Sequence, residues 1–400
     1  MRIAGIIAEY DPFHKGHAAH ITATRAENGG KATHIVAVIS GNFTQRGEPA
    51  LVNKFRRAEM ALAAGADLVL ELPLPWAMAP AENFAAGGVA ILNALGCVDL
   101  LSFGSECGDV DILQKLANLP QDKNYQETLR EILATGVPYA AAGQTAAEKL
   151  LGKTIASALA SPNNTLGIEY LRAINNQQAK FDSFTLLRQG ALHNEDAPNQ
   201  GFAAASLLRS WIKNNQVDLA TEFMPNATGN LLKQSISQCE SPSDSHLLHT
   251  SVLTTLRKMD ITDFANLPWI SEGLENRLYT LSRTATDYNE LLTALKTRRY
   301  PLARLRRVLW AALIGLTAKD TEGLPPYIRV LGMNERGREI LSIASPTLPL
   351  LTRTAQLEDL DDRAKRIFEL ECIATDLHAL TRPNPAPCGT DHTQKLLVIK

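Results

Sequence analysis

The feature that most constrains this chain is a regular alternation of two periodicities in its N-terminal quarter. Short apolar runs at Ile3 to Ile7, His34 to Ile39, Asp67 to Leu72 and Val98 to Phe103 are separated by helical patterns at His17 to Glu27, Lys54 to Ala64 and Ala81 to Leu95. Strand and helix in alternation require parallel pairing with right-handed crossovers, so the expected fold class is α/β, a doubly wound parallel sheet. Ligands bind such sheets outside the carboxyl ends of the strands. The loops after Ile7, Ile39 and Phe103 should therefore converge on one crevice.

At 400 residues the chain exceeds the length at which one core stops growing, so a second domain is expected. From about Tyr125 the pattern turns helical, with an extended interruption at Phe184 to Gly190 that reads as a last strand. Residues 225–250 are rich in Ser, Asn, Gln and Pro, which suggests a linker. That divides the chain into a first domain, 1–224, and a second, α-rich domain, 251–400. Helices are expected there at Ser251 to Arg257, Gly273 to Arg283, Asn289 to Thr297, Leu302 to Thr317 and Leu360 to Leu380, before a Pro-rich tail from Arg382 to Thr390.

Forty basic against 42 acidic side chains leave a net charge of -2, so no global field recruits nucleic acid or membrane. Any RNA-binding surface must be local. Cys97, Cys107, Cys239, Cys372 and Cys388 are far apart and form no C-x-x-C pair, which argues against a disulfide framework or a zinc site and fits a reducing cytoplasm. The apolar run at the N-terminus is broken by Glu9 and Asp11, too early for a signal peptide, and no stretch reaches the roughly 18 apolar residues of a membrane span. A soluble, cytoplasmic protein is expected.

The first strand runs into Asp11-Pro12-Phe13-His14-Lys15-Gly16-His17 and then a helix. A strand-to-helix junction leaves backbone N–H groups unpaired with the positive end of the helix dipole behind them, an anion site. Gly16 would let a phosphate approach the backbone, and Pro12 stiffens the turn. His14 and His17, three apart, could face a polyphosphate from one side and donate hydrogen bonds to charge on phosphorus and on departing pyrophosphate. The competing reading is that the two histidines only cap the helix.

Other positions carry paired readings. Ser40, Asn42, Gln45 and Arg46 follow a strand and are expected at a substrate site. Gly104 is a turn former or an adenosine contact. Asn163 and Asn164 cap a helix or read a base or ribose. Arg188 pairs with a surface carboxylate or with a phosphate. His246 and His249 lack a third ligand, and Asp359, Asp361 and Asp362 begin a helix, so no protein-held metal is expected.

Between Leu291 and Leu316 stand Lys296, Arg298, Arg299, Arg304, Arg306 and Arg307 without a single Asp or Glu, and Tyr300 and Trp310 are nearby for stacking. This is an electrostatic footprint suited to an RNA backbone, which Lys54, Arg56 and Arg57 could extend. The alternative is a solvated helix face.

Gly5 to His17 resembles the opening motif of the bacterial tRNA(Met) cytidine acetate ligases, themselves similar to nucleotidyltransferases with an H-x-G-H signature. Blocks in the same order come after it: Ser40 to Pro49, Arg57 to Ala61, Ser102 to Glu106, Ser161 to Gly167 and Lys296 to Tyr300. The resemblance implies a nucleotidyltransferase-like Rossmann variant, with the tRNA-binding function in the α-rich half. It implies an enzyme that activates acetate with ATP, with Mg2+, to acetyl-adenylate and acetylates N4 of the wobble cytidine of elongator tRNA(Met).

The implied ATP site comprises Ile7, Ala8, Glu9, Tyr10, Asp11, Pro12, Phe13, His14, Lys15, Gly16, His17, Ala18, Ala19 and His20, with Gly104, Asn163 or Asn164, and Arg188 from the Leu187 to Asn194 block. Asp11 stands where the family usually has asparagine, so its charge is expected to point away from phosphates or to hold magnesium. The implied partners are elongator tRNA(Met) and acetate, with no protein partner. Two alternatives remain. One is a nucleotidyltransferase that adenylates a phosphorylated cofactor precursor, against which the basic segment counts. The other is a noncatalytic RNA-binding protein with a remnant nucleotide site, against which the retained His14, Gly16 and His17 count.

Overall fold

The computed structural model describes residues 1–25, 31–188, 197–199 and 201–399. The end of the helix expected to reach Glu27, and Gln189, Gly190, Ala191, Leu192, His193 and Asn194 of the block after Leu187, lie outside the described residues.

Strands β1 (Ile3–Ala8), β2 (His34–Ser40), β3 (Leu68–Leu72), β4 (Leu100–Ser105) and β5 (Asp182–Leu187) form a parallel sheet in the order β5-β4-β1-β2-β3. The strand order reverses between β1 and β4, which opens the crevice expected of a doubly wound sheet at their carboxyl ends. β1 and β2 read as apolar runs because both faces are covered, whereas β5, at the sheet edge, is partly exposed. Ile3 and Ile7 pack with Trp76, Phe84 and Leu92 on one side, whereas Ala4 and Ile6 pack with Ile21 of α1 (Lys15–Thr24) and Met60 of α2 (Lys54–Ala63) on the other.

The second half departs from the expected division. Residues 225–250 contain a helix, Asn226–Ser237, that packs on α2 through the core shared by Leu232. Their polar composition suggested a linker, yet the hydroxyls are satisfied internally. Ser235 and Ser241 hydrogen-bond each other at 2.9 Å, and Ser243 donates to the Ala50 carbonyl at 2.6 Å.

Helices His249–Lys258, Leu274–Thr284, Tyr288–Leu295 and Leu302–Ile314 make a helical region, but Val252, Leu278, Leu291 and Leu309 belong to the same core as Val38 and Leu70 of the sheet. The chain then returns to the sheet. β6 (Ile328–Met333) pairs antiparallel with β3, and β7 (Leu350–Leu351) and β8 (Leu397–Val398) pair with β6. The border expected at residue 251 therefore does not separate the sheet from the rest of the chain. Arg329 and Gly332 interrupt the apolar pattern of β6, which concealed it.

One buried charge network fastens this return. Lys54 Nζ lies 2.6 Å from Glu71, 2.8 Å from Asp391 and 3.4 Å from Glu371, all with fully buried side chains. Arg329 bridges Glu71 at 2.9 Å and Asp391 at 2.6 Å, and the Leu74 N–H donates to Glu371. Three carboxylates face two cations. Burial, followed by the charge of Glu71, raises the Glu371 carboxyl well above its ordinary range, so a proton on Glu371 is the change that would balance the network. Burial opposes the charge of Asp391, but Lys54 and Arg329 prevail and hold it at about 2. The suggestion that Lys54 and Arg57 extend an RNA surface is corrected, since both are 0% exposed.

Removing one cation from such a network leaves a buried charge uncompensated. Lys54→Met is expected to lower stability by roughly 3–5 kcal/mol in urea denaturation. A loss below about 1 kcal/mol would show that the network contributes little.

Candidate active site

β1 delivers the chain to the switch point, and buried contacts fix the loop beyond it. Tyr10 takes a φ of 52° and the Asp11–Pro12 bond is cis. Tyr10 and Phe13 are 2% and 0% exposed, and their ring centroids lie 4.7 Å apart, with His17 at 4.8 Å and 5.4 Å respectively. Ile7, Tyr10 and Phe13 are thus core residues that hold the loop. Burying a side chain the size of Phe13 contributes about 2–3 kcal/mol.

Fully buried Arg57 donates to the carbonyls of Glu9 at 2.6 Å, Val52 at 2.9 Å and Gly41, tying the loop after β1 to the loop after β2. Asp11 is turned toward that second loop, where it accepts the Leu51 N–H at 2.7 Å. Arg209, from the Ala205–Lys213 helix, donates to the Asp11 carbonyl at 2.6 Å and lies 3.8 Å from its carboxylate. A carboxylate suits this position because a guanidinium stands beside it.

The start of α1 corrects one expectation. Its backbone N–H groups are not left free: Lys15 donates to the Phe223 carbonyl at 2.9 Å, Gly16 to His14 Nδ1 at 3.0 Å, and His17 to the His14 carbonyl at 2.9 Å. His17 Nδ1 in turn accepts the His14 N–H at 3.3 Å. The two histidines do cap the helix, and that geometry decides their chemistry. A neutral imidazole that accepts at Nδ1 carries its proton at Nε2. Neither Nε2 has a hydrogen-bond partner among the described residues, so both remain available as donors.

The rings stack 3.7 Å apart at 21°. Burial, then Arg188, lowers the pKa of His14 to about 3. Burial, then His14 and Arg188, lowers that of His17 well below its ordinary range. The pair is neutral near pH 7. A side chain on Gly16 would stand 2.9 Å from His14 Cε1, so this glycine makes room for the ring as well as for any ligand.

His20 continues the same helix face; its Nε2 lies 2.9 Å from Ser102 Oγ, and burial lowers its pKa to about 4. Ala18 is half-buried and packs against the core, whereas Lys15 and Ala19, four residues apart, are exposed. Ala8 and Glu9 are half-buried at the end of β1, Glu9 accepting the Gln45 N–H at 2.6 Å.

Across the switch point, β4 ends in a reciprocal clamp. The Glu106 carboxylate accepts the Asn163 side-chain amide at 2.6 Å and the Asn164 N–H at 2.7 Å, while Asn164 Oδ1 accepts the Glu106 and Cys107 N–H groups at 2.9 and 3.1 Å. Neither asparagine is the N-cap of the Pro162–Gln177 helix, a place held by Ser161. Arg188 lies across Gly104, where a side chain would meet its Cγ at 3.3 Å. Arg188 is close enough to His14, His17 and His20 to depress all three.

The structure thus gathers β1, α1, Gly104, Arg188 and the Asn163–Asn164 turn around one crevice. The loop after β2 serves differently. Asn42 is 0% exposed, accepts the Lys54 N–H at 2.7 Å and donates to Thr375 at 3.0 Å, so it is a structural residue rather than the substrate contact expected. Ser40 is buried and Arg46 half-buried. Glu106, Ser102, Arg209 and Arg57 were not expected at the site. Glu106 stands within one of the ordered blocks, but nothing local marked Arg209, which reaches the loop from 198 residues away.

The basic segment divides in two. Lys296, Arg298 and Arg299 are exposed. Arg304 donates to Trp269 O at 2.9 Å, Arg306 pairs with Glu48 at 3.1 Å, and Arg307 donates to Gln45 O at 3.0 Å. Gly47, at a φ of 73°, allows that docking, because a side chain there would stand 2.5 Å from the Arg307 backbone. Tyr300 and Trp310, expected to stack on bases, are 6% and 1% exposed and belong to the core.

A family model described as HIGH Nucleotidyl Transferase matches residues 1–392. The chain is 38% identical over 100% of its length and 100% of the relative's to a tRNA(Met) cytidine acetate ligase of Acetivibrio thermocellus. It is 36% identical, over 99% and 100%, to one of Thermoanaerobacter sp.. The crystal structure of Thermotoga maritima TmcAL bound with alpha-thio ATP superposes over 100% of both chains with a TM-score of 0.91 at 30% identity.

His14 and His378 are both buried and both lowered by burial to about 3 from an ordinary 6.5. Between those values the unfolded chain binds protons that the folded chain refuses, so stability is full above about pH 6.5 and declines as the pH falls toward 3. Urea midpoints at pH 7 and pH 5 should fall in that order. Equal midpoints would contradict buried neutral rings.

Proposed function

We infer the function from kinship: the chain belongs to the HIGH nucleotidyl transferase family and, within it, to the tRNA(Met) cytidine acetate ligases. We propose that it activates acetate with ATP and transfers the acetyl group to N4 of the wobble cytidine of elongator tRNA(Met), in the cytoplasm. Among the described residues no helix is long and apolar enough to cross a membrane.

The observation that carries the chemistry is the stacked, neutral His14–His17 pair with both Nε2–H groups unspent. In the first step an acetate oxygen forms a bond to the α-phosphorus of ATP, the bond from that phosphorus to the bridging oxygen breaks, and pyrophosphate leaves. The Nε2–H donors and the guanidinium of Arg188 stabilise charge on the phosphates without giving up a proton. In the second step cytidine N4 attacks the acetyl carbon, AMP leaves with the bonding pair, and the amine proton passes to the departing phosphate and on to water. The clamp of Glu106 with Asn163 and Asn164 holds the far wall of the crevice in place, which supports Gly104 as an adenosine contact and the two asparagines as the residues that position it. Magnesium is proposed only as the counter-ion that ATP brings. The described residues present no group of three or more His, Cys, Asp or Glu able to hold a metal.

Exchange of labelled pyrophosphate into ATP should require acetate and no tRNA, and His14→Ala or His17→Ala should slow it by about 10²–10³-fold while preserving the fold. Exchange indifferent to acetate would overturn the reading in favour of adenylation of another substrate. Gly16→Ala should displace the His14 ring and slow exchange at least about tenfold. Helix propensity predicts a stability change within about 1 kcal/mol.

A further inference from the structure

The helical region holds a groove of about 820 Å³ between the His249–Lys258 and Tyr288–Leu295 helices, lined by His249, Thr254, Arg257, Tyr288, Asn289 and Thr293 among others. That volume is in the range of ligand sites. Its inner wall is a ladder of rings. Tyr288 stacks on His249 at 3.9 Å and 18°, and His249 stacks on exposed His246 at 4.7 Å and 25°. The ladder is rooted in the core, where Trp310 lies 6.5 Å from both Tyr288 and His249.

We propose that this groove binds an unpaired nucleotide of the substrate RNA, taking the base beside the ring ladder and laying the adjoining phosphates on Lys296, Arg298 and Arg299. The inference rests on the RNA reading of the function.

The polar lining suits a base. Arg257 is aimed by two carbonyls, Nε to Ser282 O at 3.4 Å and one terminal nitrogen to Ala285 O at 2.8 Å, which leaves its other terminal nitrogen unspent. The exposed Asn289 side chain has no partner among the described residues and offers a donor and an acceptor together. Thr254 spends its proton on Thr250 O at 2.8 Å and keeps its lone pairs. Two acids also line the groove. Asp287 accepts the Asn289 and Glu290 N–H groups at 2.8 and 2.9 Å, and Glu290 accepts the Thr286 N–H and hydroxyl at 2.8 and 2.7 Å. Carboxylates accept exocyclic amines of bases and repel phosphate, so the base enters and the backbone stays on the rim.

The rim is basic where it needs to be. The helix that contributes Thr293 and Ala294 ends at Leu295, and the exposed cations come immediately after it. The groove is also tied to the crevice. Arg306 pairs with Glu48 at 3.1 Å, both act electrostatically on Tyr288, and the same loop gives the Gln45 N–H to Glu9 at 2.6 Å.

The test uses the full chain and a short RNA stem-loop with an unpaired cytidine in its loop. Thr254→Trp, which fills the groove, should weaken stem-loop binding at least about fivefold. Acetate-dependent pyrophosphate exchange should be unchanged, and a fully paired RNA duplex should compete poorly against the wild type. Asn289→Ala, at an exposed position, guards against misfolding and should weaken binding about threefold or more. Wild-type RNA affinity in folded Thr254→Trp and Asn289→Ala overturns the groove. A wild-type protein that exchanges pyrophosphate with acetate yet binds no stem-loop overturns the RNA reading beneath it.

Discussion

Lys54 is the interaction on which the arrangement depends. A lysine at the first turn of α2, fully buried, is stable only because Glu71 of β3 and Asp391 near the C-terminus lie within 2.8 Å of it. Arg329 completes the circuit from β6. The network joins the parallel sheet, the antiparallel strand added to it and the last residues described, so the C-terminal segment is part of the catalytic scaffold. Its neighbour on α2, Arg57, then fixes the loops after β1 and β2 by three carbonyl contacts. One helix turn therefore carries both fasteners, and the crevice is shaped by residues that are themselves fully buried.

At the helix start, capping and the proposed catalysis use opposite edges of the same rings. Nδ1 of each histidine accepts a backbone N–H, which spends the helix's own donors and sets the tautomer. The donors presented outward are Nε2–H groups on side chains rather than backbone amides. Burial keeps them neutral, so they can hydrogen-bond to phosphate at neutral pH without titrating.

Much of this was legible locally. The short apolar runs predicted β1 to β4 because strands covered on both faces need no polar side, β5 showed only as an extended interruption of a helical pattern, and the strand-to-helix motif located the crevice because the switch point lies at the end of β1. The ordered blocks carried the family. The basic stretch was legible only as composition. Arg304, Arg306 and Arg307 are drawn into contacts with Trp269, Glu48 and Gln45, and the acid that pairs with Arg306 lies some 250 residues earlier in the chain, beyond any local window. The Ser-rich stretch before residue 250 failed as a linker signal for a similar reason, since its hydroxyls find partners inside the fold.

By itself, then, the sequence determined the α/β class, the place of His14, Gly16 and His17 at a strand-to-helix junction, and kinship with the tRNA(Met) cytidine acetate ligases. These depend on spacing along the chain, which folding does not change. Tertiary structure alone decided which cations are spent, which ring nitrogens are free, why Asp11 is tolerated beside Arg209, and that the chain returns to the sheet at β6. Those outcomes turn on burial and on partners as distant as Lys54 and Glu371, 317 residues apart, and a periodicity confined to a few turns carries no information about them.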